Sequence, residues 1–163
     1  MFPHIPSWNA FHPLVVHFPI ALLLVAPVFV ILAIIWRRNE LPVSVAALLL
    51  MALGTIGAFV AAASGEAAED NVTGTAARAV LDRHEALATA VEVVFSGLTV
   101  LFAGLVFLPR LIHRPLGRRA TIVAFVLFLG LYLGGAIVLA VAAHQGGRLV
   151  HELGVRSPIA ALN

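Results

Sequence analysis

The sequence predicts an all-α integral membrane protein, a four-helix bundle running up-down-up-down with both termini on the outer face. Three observations predict it. The chain is 61% hydrophobic and only 11% charged over 163 residues, far from the balance of a soluble domain. Four apolar runs are each long enough to cross a hydrocarbon core of about 30 Å, which takes about 20 helical residues. Short polar, arginine-bearing segments separate the runs, so the whole of 1–163 reads as a single transmembrane domain.

Residues 1–12 form a polar-aromatic lead in which Trp8 suits the lipid headgroup zone. They carry no basic residue, so the run that follows reads as a retained signal anchor rather than a cleaved signal peptide. Span 1 covers about 13–36. Pro13 suits a first helical position, where a missing N–H is no loss. Pro19 lies inside the run and predicts a kink beside His17, and Pro27 repeats the effect further along. Span 2, about 42–64, is built of Ala, Leu, Val and Gly, with Gly54 and Gly57 allowing close approach. An acidic loop follows, and Thr75 is the expected N-cap of span 3. Span 3, about 76–108, is longer than a bilayer needs. Span 4, about 120–143, is expected to continue as helix past His144. No internal repeat is evident.

Composition excludes several chemistries. There is no cysteine, hence no disulfide, thiolate metal site or cysteine nucleophile. The basic residues are all arginine and lie between spans, so the high pI reflects topology, not nucleic-acid binding. Arg37, Arg38, Arg110, Arg114, Arg118 and Arg119 gather in two short connections, against Arg78, Arg83, Arg148 and Arg156 on the other face. That bias predicts the first group to be cytoplasmic.

The histidines are the chemical anomaly. A helix rises about 1.5 Å per residue, which places His17 about 30 Å above Arg37, His84 about 37 Å above Pro109, and His144 about 37 Å above Arg119. Three imidazoles from three spans thus share one layer near the outer surface. His12 and His4 lie on the same side. His151 follows His144 by two turns on the same helix face. Neutral imidazole is the commonest metal ligand. Glu92, two turns below His84, is an intramembrane carboxylate and so marks function by default. With Glu85, Thr89 and Ser96 it forms one polar stripe, which suits a proton relay. Arg83 and Arg148 flank the layer, where they suit the propionates of a haem.

His12-Pro13-Leu14-Val15-Val16-His17-Phe18-Pro19-Ile20-Ala21-Leu22, the Ser64-Gly65 end of span 2, the isolated His84, and Ala143-His144-Gln145-Gly146-Gly147-Arg148-Leu149-Val150 resemble the bacterial four-helix membrane family catalogued as domain of unknown function 2231. The family pattern has an aromatic residue and then histidine before a glycine where this chain reads Val150-His151-Glu152-Leu153-Gly154. The resemblance implies a four-helix domain found joined to or near redox modules such as Rieske and c-type cytochrome domains. Its outline is also similar to the b-type cytochromes, which hold haem between histidines of different helices.

The leading expectation is therefore an electron-transfer protein of the bacterial inner membrane, multi-pass, binding one haem b near the outer face. His17 and His84 are the expected axial pair, with His144 next and His12 and His151 as further candidates. A quinol or a partner redox protein would exchange electrons with it, and Glu92 would take the proton. The alternatives are a zinc or copper site made of His17, His84 and His144, and a cofactor-free structural subunit, oligomeric or not. The lipid bilayer is its solvent in every case.

Overall fold

The computed structural model describes residues 12–67, 69 and 72–155, and among these every regular element is helical. His4, Trp8, Asp70 and Arg156 lie outside the described residues. A short α1, His12–Val15, is followed after one turn residue by α2, His17–Ile35. A 3₁₀ turn, Arg37–Asn39, leads into α3, Glu40–Glu66. α4 is Thr75–Leu111 and α5 is Arg118–His151. Four stretches, His12–Ile35, Arg37–Glu66, Thr75–Leu111 and Arg118–His151, are long and apolar enough to cross a membrane.

The elements follow the sequence closely, with physical reasons for the differences. The interruption predicted beside His17 falls at Val16, whose N–H still bonds His12 O at 3.1 Å. Pro27 lies within α2 without ending it. Thr75 is the first helical residue rather than the cap. Gly74 caps α4 at φ 92°, a left-handed conformation that a glycine adopts without steric cost. α5 runs straight through Gly146-Gly147 to His151.

Lipid-type solvent explains which side chains lie outside. Phe18, Ile35, Leu49, Val100, Leu127 and Leu133 are exposed, whereas a soluble bundle would turn such residues inward. The core is Leu23, Val30, Met51, Phe95, Phe102, Phe128 and Tyr132 with their neighbours. Phe95, Phe102, Phe128 and Tyr132 form a chain of ring contacts between α4 and α5.

The packing contains an internal repeat that the sequence reading misses. The shift that carries Ala61 to Ala142 also carries Ser44, Ala47, Met51, Gly54, Ala58 and Ser64 of α3 to Phe125, Phe128, Tyr132, Gly135, Leu139 and Gln145 of α5, and all of these are buried. The shift that carries His12 to His84 carries Pro19, Leu23, Ala26 and Val30 to Val91, Phe95, Leu98 and Phe102, again all buried. The close contacts repeat as well. A Cβ at Gly54 would meet Leu22 and Leu23, and one at Gly135 would meet the matching Val94 and Phe95. The bundle is two equivalent helical hairpins, α1–α2–α3 and α4–α5, packed on each other. The residues differ while the burial pattern persists, so the repeat is visible in packing and hardly in sequence.

Candidate functional site

A cavity of about 420 Å³ lies between the hairpins, at the end that carries the α3–α4 connection. Its volume falls in the range of small-molecule and cofactor sites, about 300–1,000 Å³. Most of the wall is apolar, from Pro19, Ile20, Ala58, Val91, Leu139 and their neighbours. Two histidines and four carboxylates supply its titratable groups: His12, His84, Glu66, Glu69, Glu85 and Glu92.

The two histidines are held in the same way, one by each hairpin. His12 Nδ1 donates to Ala61 O at 2.8 Å, and His84 Nδ1 donates to Ala142 O at 2.9 Å. Each carbonyl belongs to the residue four before a glycine on which the ring rests. A Cβ at Gly65 would lie 3.2 Å from His12 Nδ1, and one at Gly146 would lie 3.1 Å from His84 Cε1. Glycine at both places lets the ring settle against the helix backbone. Since a carbonyl only accepts, each Nδ1 carries the proton. In a neutral ring that leaves the Nε2 lone pair free, the arrangement by which proteins fix the tautomer of a metal-binding histidine. The ring centroids are 6.4 Å apart and the planes are inclined by 84°.

The carboxylates break this symmetry. The shifts that superpose the hairpins put Pro13 opposite Glu85, Ile20 opposite Glu92 and Gly147 opposite Glu66. One wall, from α3 and α4, is therefore acidic, and the matching wall is apolar. Glu85 Oε1 is buried without a hydrogen-bond partner, and Glu66 and Glu69 line the same cavity. Thr89 lines the cavity with Glu85 and Glu92, as the predicted polar stripe requires, whereas Ser96 does not reach it.

The remaining sequence candidates lie elsewhere. His17, His144 and His151 are exposed on the outer faces of their helices and do not line the cavity. The structure thus brings His84 together with His12, not with His17 or His144. Among the described residues no group of three or more His, Asp or Glu is arranged to hold a metal ion. Arg83 is exposed. Arg148 bonds Glu152 at 2.9 Å and Gln145 at 3.2 Å. Neither arginine lines the cavity. Two features escape sequence reasoning: the choice of His12 over His17, and the paired glycines. The segments Ala61-Ala62-Ala63-Ser64-Gly65 and Ala142-Ala143-His144-Gln145-Gly146 carried the signal for both.

Four apolar helices around a histidine-flanked cavity define a small multi-pass membrane protein that lives in a lipid bilayer. The family model described as predicted membrane protein DUF2231 matches residues 9–158, and the chain belongs to that family. No curated protein and no solved structure matches the chain.

Proposed function

We propose that the protein is a membrane electron-transfer protein that holds one haem b between His12 and His84. The observation that carries this reading is the ring spacing. A metal–imidazole bond is about 2 Å and the ring centroid lies about 1.1 Å behind the ligating nitrogen, so two imidazoles that held one metal from opposite sides would have centroids about 6.2 Å apart. The observed centroid separation of 6.4 Å is close to that figure. Both rings already have Nδ1 committed to carbonyls, which reserves Nε2 for the metal.

The donor set favours haem over a bare ion. Only two imidazoles converge, and a porphyrin brings the other four ligands itself. A three-histidine zinc or copper site has no support from the positions of His17 and His144. The haem would supply one-electron chemistry. The protein residues would hold it, seat it on apolar walls and tune its charge environment. Glu92, within the acidic wall, would be the residue that takes up a proton.

In this reading the chain crosses a bacterial cytoplasmic membrane up-down-up-down. The arginine-rich connections face the cytoplasm, and the mouth and termini face outward. A quinol or a redox protein of the Rieske or c-type class would exchange electrons at the mouth. The test is haem retention by variants purified from cells supplied with haem. His12→Ala and His84→Ala should each abolish it, and His17→Ala should not. Equal haem content in all three would overturn the assignment.

A further inference from the structure

A polar contact deep in the apolar core ties the two hairpins together, and neither the cavity nor the family assignment accounts for it. Pro27 lies inside α2 and has no N–H. The carbonyl four residues earlier, Leu23 O, therefore lacks its helical partner. In a lipid-embedded core an unpaired carbonyl is costly, and neighbouring helices must supply a donor. Tyr132 of α5 does so, since its hydroxyl donates to Leu23 O at 2.7 Å. Both residues are fully buried.

The same ring also packs within its own hairpin. Tyr132 packs edge-on against Phe95, with centroids 5.3 Å apart and planes inclined by 77°. Phe95 is the repeat equivalent of Leu23. The Tyr132 phenol thus touches the matching position in both hairpins, by its hydroxyl in one and its ring in the other. Leu23 is also gripped from behind, because its side chain fills the space left by Gly54. The histidines belong to these same two hairpins, so whatever fixes one hairpin against the other fixes the gap between the rings.

We infer that Tyr132 is a positioning residue: its hydroxyl replaces the hydrogen bond that Pro27 removes, locks α2 against α5, and so sets the separation of His12 and His84. The role rests on the proposed cavity function for its purpose, but its geometry stands apart from any cofactor.

The test is a double-mutant cycle with two readouts. Tyr132→Phe removes the hydroxyl and keeps the ring. Pro27→Ala restores an N–H to Leu23 O and makes the hydroxyl redundant. Tyr132→Phe alone should lower Tm by about 4 °C, and in the Pro27→Ala background it should cost almost nothing. The second readout is the distance between spin labels at His17→Cys and His144→Cys, both exposed positions in a chain with no native cysteine. In a protein labelled there, Tyr132→Phe should shift or broaden the distance distribution, and adding Pro27→Ala should restore it. An unchanged distribution, or additive effects on Tm, would overturn the positioning role whether or not haem is bound. A restored distribution in a protein that takes up no haem would leave this role standing and remove the haem reading alone.

Discussion

His12 and His84 meet across the cavity at 6.4 Å, each anchored through Nδ1 to an alanine carbonyl four residues ahead of a glycine. Two hairpins that share little sequence build the same half-site twice. A ligand bound by both rings would take one imidazole from each hairpin.

The glycines that seat the rings should be as sensitive as the histidines. Gly65→Ala and Gly146→Ala would each place a methyl group within 3.2 Å of a ring atom and push the imidazole off its carbonyl. We expect each to weaken haem retention at least about tenfold, the scale on which second-shell changes act, while the bundle stays folded. Haem titration of the apo-proteins measures this. By contrast Gly130→Ala and Gly134→Ala meet open space and should leave retention unchanged.

Deeper glycines should report on stability instead. A Cβ at Gly54 would lie 2.7 Å from Leu23 Cγ, so Gly54→Ala overpacks the core and should cost about 1–3 kcal/mol. Gly135→Ala, its repeat equivalent, meets Leu98 at 3.0 Å and should fall at the lower end of that range. Detergent-phase unfolding of both variants would check the order.

Much of the fold was legible because a lipid-spanning helix is set by length and apolarity alone. The spans read from the sequence agree with α2 to α5 within a few residues, and α5 continues past His144 to His151 as expected. The site was half legible. Counting residues at helical rise gives height along the bundle. It gives no rotation about the helix axis. In α2 nearly every residue is apolar, so the pattern does not reveal that His12 and Pro19 face inward while His17 and Phe18 face lipid. Sequence adjacency is no guide to facing either: Arg83 neighbours His84 in sequence but is exposed and does not line the cavity. The hairpin repeat was hidden because lipid-facing positions vary freely and even buried pairs differ in size, as Met51 and Tyr132 do.

Glu92 should couple the cofactor to protons. An ionised carboxylate in the cavity wall would stabilise the oxidised, more positive state of a haem bound there, so the midpoint potential would fall as pH rises. Glu92→Gln should raise the potential at alkaline pH by about 30–60 mV, the size of one partly screened charge at short range, and should flatten its pH dependence. Potentiometric titration across pH measures both. A pH slope unchanged by the substitution would assign the coupling to Glu66, Glu69 or Glu85 instead.

The ion pairs at the two ends of the bundle should matter little. Arg110–Glu40 at 3.3 Å and Arg148–Glu152 at 2.9 Å are both partly exposed, and such pairs contribute about 0.2–1 kcal/mol. Glu152→Gln should shift stability by no more than about 0.5 kcal/mol and leave haem content intact, because Arg148 does not line the cavity. A fall in haem content in this variant would place Arg148 in the site.

The central claim is that His12 and His84 hold a haem, and the visible spectrum of the purified protein, oxidised and then reduced, tests it most directly. The account predicts the sharp reduced bands of a low-spin, bis-imidazole b-type haem, absent from the His84→Ala protein prepared in the same way. A featureless spectrum from wild-type protein made with ample haem supply would contradict it.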